Sequence, residues 1–178
     1  MIFSETPLKD AYLIELERHT DARGYFARSW CLREFESHGL NSRIAQCNVS
    51  LNHRKGTLRG MHYQTKPFEE SKLVRCTRGS LYDVIVDLRT GSPSYLRHFG
   101  VVLTPDNGLM LYVPEGFAHG FLTLEGRTEV HYQISEFYAP DSARGFRWDD
   151  PAFGIQWPAP VEIISDRDRS YPDFDRRG

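Results

Sequence analysis

Cysteines are scarce in this chain, which has three of them in 178 residues, far apart and in no CxxC pair. Cys31, Cys47 and Cys76 therefore predict neither a disulfide framework, which needs an even set of cysteines, nor a zinc knuckle. Unpaired cysteines are typical of proteins from reducing compartments. We therefore expect a cytoplasmic protein.

Basic charge and long apolar runs are also in short supply. The formal net charge is −2, with 22 Lys and Arg against 24 Asp and Glu, whereas nucleic-acid binders generally carry a basic surplus. No stretch approaches the roughly 20 apolar residues that span a bilayer, and the first residues lack a signal-peptide pattern. We expect no nucleic-acid or membrane partner, so an anionic ligand needs a local cluster of Arg and Lys.

Helical periodicity is rare, and short apolar or alternating segments dominate the chain. KLVRCTRGSLYDVIVDL, LMLYVPEG and TEVHYQISEFY are rich in β-branched and aromatic residues, which favour strands. TRG at 77–79 and LEGR at 124–127 contain the glycine that tight hairpin turns need. CLREFESHG at 31–39 predicts a helix that ends at Gly39. We expect one all-β domain over residues 1–178, a sandwich or small barrel, with a frayed polar tail from residue 166.

Alternation along the strands gives direction to several side chains. In EVHYQI, at 129–134, Tyr132 falls on the apolar face and His131 on the polar face. In TLRGMHYQ, at 57–64, the same rule places Arg59 and His62 on opposite faces. A bulge at Gly60 would turn both side chains inward. His62 itself could be a metal ligand, a proton-transfer base or a well-packed core histidine.

Two segments resemble the two halves of a cupin barrel. The first, GMHYQ, is followed by Glu69 and Glu70, and the second, PEGFAHG, contains His119. Metal-binding cupins use a His-x-His pair, a carboxylate and a further histidine, a set that would suit Fe, Mn, Ni or Zn. Here Gln64 stands where the second histidine of the pair would be. Because an amide is a poor ligand, a metal-free site is favoured and no cofactor is expected.

A closer resemblance extends along nearly the whole chain. In order, the matching blocks are DARGYF, QCNVS, LRGMHYQ, KLVRCTRG, DVIVDLR, VPEGFAHGF, EVHYQ, WDDPAFGIQWP and SDRD. They resemble the dTDP-4-dehydrorhamnose 3,5-epimerase family, and they indicate the family more firmly than the substrate. The resemblance implies a cupin barrel, that is, a double-stranded β-helix or jelly roll, with few short helices. It also implies a metal-independent, usually dimeric enzyme that acts on a nucleoside-diphosphate 4-keto-6-deoxysugar.

The implied reaction needs a base, a group that stabilises an enolate, and an acid on the opposite face of the sugar. The family's base maps to His62, and its paired carboxylate to Asp168, with Asp166 as the less favoured choice. A carboxylate beside an imidazole fixes its tautomer and makes it a stronger base. Tyr132 matches the family's acid, and Lys72 matches a partner for the oxyanion at C4. Each of these residues also has an ordinary structural interpretation, such as packing or a solvated charge.

Six further residues are implied to bind the substrate: Arg23, Gln46, Asn48, Arg59, His119 and Tyr138. A diphosphate favours arginine, whose planar guanidinium donates several hydrogen bonds. Tyr138 resembles an aromatic that stacks on the base, and His119 is almost as well suited to a structural role. The resemblance also implies a homodimer in which the N-terminal segment of one subunit completes its neighbour's site, so Arg23 is expected to act across the dimer.

Two positions depart from the family pattern. Arg28 stands where the first block often has an acid, and Ala143 where another acid is common. Both lie in segments that the resemblance associates with substrate and nucleotide binding. The epimerisation reaction is therefore better supported than thymidine as the nucleoside of the substrate. Conversion of dTDP-4-dehydro-6-deoxyglucose to dTDP-4-dehydrorhamnose is expected, and inversion at C3 alone stays open. Two alternative functions remain open. One is a metal-dependent cupin oxygenase or isomerase that uses His62 and His119, and the other is a sugar-binding or regulatory cupin without turnover.

Overall fold

Strands make up most of the regular structure in the computed structural model, which describes residues 1–175. The strands are β1 (Ile2–Glu5), β2 (Tyr12–Glu15), β3 (His19–Asp21), β4 (Gly24–Phe26), β5 (Gln46–Asn52), β6 (Thr57–Gln64), β7 (Lys72–Arg78), β8 (Leu81–Asp87), β9 (His98–Leu103), β10 (Leu109–Val113), β11 (Phe117–Thr123), β12 (Thr128–Ile134), β13 (Ala143–Gly145) and β14 (Ile163–Ile164). The helices of this range are α1 (Leu32–Ser37) and α2 (Asp166–Arg169). Neither helix has the length and apolar content to cross a membrane.

Two sheets form the walls of the barrel. The first sheet has the strand order β1-β2-β10-β7-β12-β5, and the second has the order β13-β6-β11-β8-β9. Neighbouring strands in both orders are antiparallel, while the short β14 runs parallel to β6. Strands β3 and β4 form a separate hairpin. The alternation of distant strands within each sheet is that of a jelly roll, so the all-β cupin prediction is confirmed.

The main core fills the space between the two sheets. On β7 of the first sheet, Val74 and Cys76 are fully buried, as is Val130 on neighbouring β12. They belong to one cluster with Leu81 and Ile85 of β8 in the second sheet. The inward residues alternate along each strand, as a two-sided pleat requires. Val130 and Tyr132 both face this core, as the alternation in 129–134 predicted.

Helix α1 covers the outer face of the first sheet. Phe35 is 2% exposed and packs with Ile14, Met110 and Tyr112 in a second apolar cluster. The helix is short because Gly39, with a φ of +69°, follows its last turn in the left-handed region that glycine tolerates best. The helix predicted over 31–39 is therefore confirmed.

The C-terminal segment covers the outer face of the second sheet, contrary to the expectation of a frayed tail from residue 166. Phe146 and Phe153 stack with ring centroids 4.4 Å apart, and Phe174 packs edge-on against Phe146 at 5.7 Å. The backbone amide of Phe174 donates to the carboxylate of Asp150. Apolar side chains spaced among charged ones thus anchor the tail as far as the structure describes it.

The two turns predicted at 77–79 and 124–127 are present, but neither closes a hairpin, because each joins a strand of one sheet to a strand of the other. The turn between β7 and β8 has Gly79 at a φ of +76°, as expected. In the turn between β11 and β12, the positive φ of 56° belongs to Arg127 and not to Gly126. The location of this second turn was right, but the role given to its glycine was wrong.

Candidate active site

A cavity of about 570 Å³ opens between strands β5, β7 and β12 of the first sheet and strands β6 and β11 of the second. The segment of β14 and α2 closes one side of it. Its lining includes Asn48, Arg59, His62, Lys72, His119, Phe121, Tyr132, Arg167 and Asp168. Apolar walls with a few convergent polar groups are typical of small-molecule sites.

His62 and Asp168 form a hydrogen-bonded pair in the cavity. His62 Nε2 lies 2.7 Å from Asp168 Oδ1, and the Gly60 amide donates to Asp168 Oδ2 at 3.3 Å. Asp168 is 4% exposed, whereas 40% of the His62 side chain is open. Burial opposes ionisation of Asp168, but the hydrogen bond and charge of His62 and the bonds from Gly60 and Ser165 hold its pKa below the usual range.

Local structure explains how Asp168 reaches His62 across 106 residues of sequence. Strand β14 pairs with the first half of β6, which delivers the chain to α2 beside the cavity. Ser165 caps α2, because its hydroxyl oxygen accepts from the Asp168 amide at 3.1 Å. Asp166 lies on the exposed side of the same short helix. The structure therefore brings Asp168, and not Asp166, to the imidazole.

A bulge at Gly60 turns both Arg59 and His62 toward the cavity, as predicted. His62 pairs with His119 and Arg59 with Phe121, so two residues of β6 face one residue of β11. Gly60 has a φ of +138°, and an added Cβ would lie 2.6 Å from the Cα of Gly120. The close approach of these two strands requires glycine.

A second histidine–carboxylate pair lies deeper in the barrel. His119 Nε2 is 2.7 Å from Asp83 Oδ1, and both residues are buried, Asp83 completely. The other carboxylate oxygen, Asp83 Oδ2, is buried with no hydrogen-bond partner within the described structure. Asp83 was not predicted from the sequence, although alternation in LYDVIVD places it on the interior face with Leu81 and Ile85. A buried acid on an apolar strand face needs a partner, and that was the available signal.

Tyr132 lies between the apolar core and this second pair. Its ring packs against the core cluster and stands edge-on to the His119 ring, with centroids 6.2 Å apart. Burial raises the pKa of Tyr132, the negative charge of Asp83 raises it further, and Arg59 offsets part of the rise. The phenol therefore keeps its proton at neutral pH. The predicted inward orientation of Tyr132 is confirmed.

Lys72 faces the same cavity but is tied to a carboxylate. Its Nζ lies 2.9 Å from Glu70 Oε1, and the two side chains are 11% and 12% exposed. Gln64 donates to the other Glu70 oxygen at 3.2 Å and to the Phe68 carbonyl at 2.8 Å. Gln64 also accepts from the Ala139 amide at 2.7 Å. Gln64 thus holds neighbouring loops together, and Glu70 positions Lys72.

The residues of this site do not match the ligand set of a metal-binding cupin. Gln64 uses its amide group in structural hydrogen bonds. His62 and His119 each have Nε2 bonded to a carboxylate of their own. Across residues 1–175, no three His, Cys, Asp or Glu side chains converge in an arrangement that could hold a metal ion.

Known proteins that resemble this chain share both its sequence and its shape. A family model described as dTDP-4-dehydrorhamnose 3,5-epimerase matches residues 5–176. An enzyme of that name from Sinorhizobium fredii is 42% identical over 175 residues, which cover 98% of this chain and 90% of the relative. This chain belongs to the dTDP-4-dehydrorhamnose 3,5-epimerase family.

Solved structures of other dTDP-sugar epimerases superpose closely on this family member. The dTDP-4-dehydrorhamnose 3,5-epimerase of Bacillus anthracis, with TDP and PPi bound, gives a TM-score of 0.93 at 40% identity, covering 97% of this chain and 99% of that one. A dTDP-6-deoxy-D-glucose-3,5-epimerase of Legionella pneumophila, in complex with dTDP-4-keto-L-rhamnose, gives 0.89 at 33% identity, covering 97% and 92%. The barrel is therefore that of the epimerase family.

Three residues predicted for the epimerase site lie outside the main cavity. Arg23 is at the tip of the β3–β4 hairpin, with a side chain that is 90% exposed and paired with Asp21. Gln46 begins β5 opposite Ile134 and does not line the cavity. Tyr138 lines a smaller neighbouring cavity of about 190 Å³. Tyr138 shares that smaller cavity with His62, whereas Arg23 and Gln46 line neither cavity.

Two basic groups next to the cavity were missed by the sequence analysis of this epimerase. Arg167, inside the SDRD block, lines both the main and the smaller cavity. The phenol oxygens of Tyr138 and then Tyr171 raise the pKa of its guanidinium. Arg144 lines the smaller cavity beside Ala143, where the family often has an acid. Arg28, at the other departure, pairs with Glu34 of α1 at 2.6 Å.

Proposed function

We propose that the chain converts dTDP-4-dehydro-6-deoxyglucose to dTDP-4-dehydrorhamnose by inverting C3 and C5 beside the C4 ketone. The observation that supports this most strongly is the His62–Asp168 pair facing the same cavity as the protonated phenol of Tyr132. A base and an acid in one cavity are what two-sided proton transfer needs. Membership of the epimerase family supports the same reaction class.

His62 is the proposed base. Its Nε2 is engaged by Asp168 at 2.7 Å, so Nδ1 is the nitrogen that remains to accept a proton from the sugar. The open 40% of its side chain leaves the imidazole accessible from the cavity. Asp168 stabilises the imidazolium that forms, as a buried carboxylate does in other histidine–carboxylate pairs.

Tyr132 is the proposed acid and Lys72 the proposed oxyanion partner. Removal of the proton beside the ketone places negative charge on the C4 oxygen, where a nearby cation lowers the barrier. The Lys72 ammonium, held by Glu70, is suited to that oxygen. Tyr132 keeps its proton until the carbanion forms and then donates it on the face opposite His62.

The charged part of the substrate is proposed to lie against arginine. Arg59 is fixed by its Nε bond to Asn52 Oδ1 at 2.8 Å, which leaves its terminal nitrogens for other partners. Arg167 lines both the main and the smaller cavity. Two guanidiniums suit a diphosphate in a protein whose overall charge is slightly negative. Asn48, His119 and Tyr138 are proposed to contact the sugar and nucleotide.

We propose a homodimer in which the β3–β4 hairpin reaches the neighbouring subunit. Phe26 is 76% exposed and Tyr25 50%, which is costly on a surface without a partner. Strand β5 lies at the edge of the first sheet with Val49 63% exposed. A partner that covers these surfaces would bring Arg23 to a site it cannot reach within its own subunit.

The three free cysteines agree with a cytoplasmic location.

The function is tested by product analysis. The protein is incubated with dTDP-4-dehydro-6-deoxyglucose, the product is reduced, and the configuration of each sugar carbon is determined by NMR. We expect inversion at C3 and C5 with wild type and with His131→Asn, a control on the outer face of β12, and none with His62→Asn. Inversion at C3 alone would make the protein a 3-epimerase. Unchanged sugar from folded wild-type protein would contradict the proposal and favour a binding protein.

A further inference from the structure

Tyr171 lies three residues beyond Asp168 and contacts two groups of the active-site cavity at once. Its ring stands edge-on to the His62 imidazole, with centroids 6.0 Å apart and planes at 65°. Its hydroxyl oxygen accepts a hydrogen bond from Arg167 Nε at 2.9 Å. One half-buried side chain therefore connects the proposed base to a cavity arginine.

The backbone on the far side of Tyr171 is shaped to receive its ring. Strand β13 pairs with β6 so that Gly145 lies opposite His62. A Cβ on Gly145 would lie 2.5 Å from the Cε2 and Cζ atoms of Tyr171, and 2.7 Å from the Met61 carbonyl oxygen. The ring thus occupies space that a side chain at position 145 would fill. Packing against Gly145 therefore holds the Tyr171 ring beside His62.

Packing beside His62 matters because Asp168 alone does not fix the imidazole. One hydrogen bond at Nε2 leaves the ring free to tilt about that bond, and 40% of the side chain is open to the cavity. Proton abstraction needs the other nitrogen at a defined place, and displacement by about 1 Å can cost about 10²-fold in rate. A rigid aromatic edge on the protein side limits this tilt.

We propose that Tyr171 is a positioning residue for the epimerase reaction. Its ring keeps His62 aligned with its hydrogen-bond partner Asp168, and its hydroxyl holds Arg167 at the cavity wall. The proposal rests on the proposed function for its kinetic consequences, since His62 is the base and Arg167 a substrate contact only there. The two parts of the side chain have separable effects. The ring acts on the proton transfer, and the hydroxyl acts on substrate binding.

The kinetic test compares substitutions that remove the two parts separately. Tyr171→Phe keeps the ring, so we expect kcat within about twofold of wild type and KM raised about threefold to tenfold. Tyr171→Leu and Tyr171→Ala remove the aromatic edge, so kcat is expected to fall about tenfold or more. Arg169→Ala, an exposed change on the neighbouring helix α2, is the control that leaves both constants unchanged. The role of the ring would be overturned if Tyr171→Leu and Tyr171→Ala had the kcat of wild type. The role of the hydroxyl would be overturned if Tyr171→Phe had the KM of wild type.

A second measurement needs no substrate. Long-range ¹H–¹⁵N correlation spectra report which nitrogen of His62 carries the proton in the free protein and how fast that proton exchanges with solvent. We expect one tautomer, protonated at Nε2, in every variant, because Asp168 is retained. Exchange of this proton should be faster in folded Tyr171→Leu than in wild type and Tyr171→Phe, because a tilting ring opens its bond to Asp168. Equal exchange rates in Tyr171→Leu and wild type would overturn the proposal. If wild type shows this tautomer but no turnover, the proposed function fails and the spectra still decide whether Tyr171 positions His62.

Discussion

Asp168→Asn isolates the charge of the His62–Asp168 pair, because asparagine has nearly the shape of aspartate. The amide would place either its oxygen or its NH₂ group at the position now 2.7 Å from His62 Nε2. If the NH₂ group faces the imidazole, Nε2 becomes an acceptor and the proton moves to Nδ1, the nitrogen that must act as base. The substitution therefore removes the stabilising charge and favours the wrong tautomer.

The expected loss in rate follows from the burial of this pair. A similar substitution in a fully enclosed histidine–carboxylate pair costs about 10⁴ in kcat. Here Asp168 is 4% exposed but 40% of the His62 side chain is open, so water can replace part of the lost interaction. We expect kcat to fall by about 10²–10³, which corresponds to about 3–4 kcal/mol. Asp166→Asn, on the exposed side of the same helix, is the matched control and should keep wild-type activity.

Stability should respond to pH in the same variant. Because the pKa of Asp168 is lowered in the folded protein, its ionised carboxylate stabilises the fold above the unfolded pKa of about 3.9, and this contribution is lost as pH falls through the folded pKa. Charged hydrogen bonds contribute about 1.5–3 kcal/mol, and relief from burying a carboxylate offsets part of that loss. We expect a decrease in Tm of about 2–4 °C at pH 7, which shrinks as pH falls below the unfolded pKa of about 3.9 and through the folded pKa. A folded Asp168→Asn variant with kcat within threefold of wild type would show that the charge of Asp168 does not support proton transfer by His62.

Three further outcomes are expected. Tyr132→Phe should keep hydrogen exchange beside the ketone but lose inversion. Difference absorbance between wild type and this variant should show that Tyr132 stays protonated above pH 10. Its contribution to stability is therefore present below about pH 10 and is lost as pH rises further. Lys72→Met should lower kcat by about 10²–10³ with a small change in KM, measured by steady-state kinetics. Asp83→Asn should lower kcat/KM about tenfold, because His119 loses its charged partner, and an unchanged value would assign the pair to folding alone.

Local patterns predicted the strands, the helix over 31–39 and the inward face of Tyr132, because alternation and glycine stops are properties of neighbouring residues. The bulge at Gly60 was also accessible, since Arg59 and His62 could not otherwise face one cavity. The cupin barrel came from the resemblance of many ordered blocks. Periodicity alone left a sandwich and a barrel equally open.

Contacts between distant segments could not be read from local pattern. The Asp83–His119 pair depends on the packing of β8 against β11, and 36 residues separate its members. Tyr171 and Phe174 lie in a stretch rich in charge, and only the folded sheet offers the surfaces that they cover. Arg23 matches a binding block but lies on an exposed hairpin, where a second subunit would be needed to give it a role.

The role of His62 as the base that removes a proton beside the ketone of a dTDP-4-keto-6-deoxysugar can be measured by hydrogen exchange. The protein is incubated with dTDP-4-dehydro-6-deoxyglucose in D₂O, and deuterium at C3 and C5 is followed by NMR for wild type and His62→Ala. We expect deuterium at both carbons with wild type and at neither with the variant. Deuterium uptake that persists in folded His62→Ala would contradict His62 as the base, and no uptake with wild type would contradict the reaction itself.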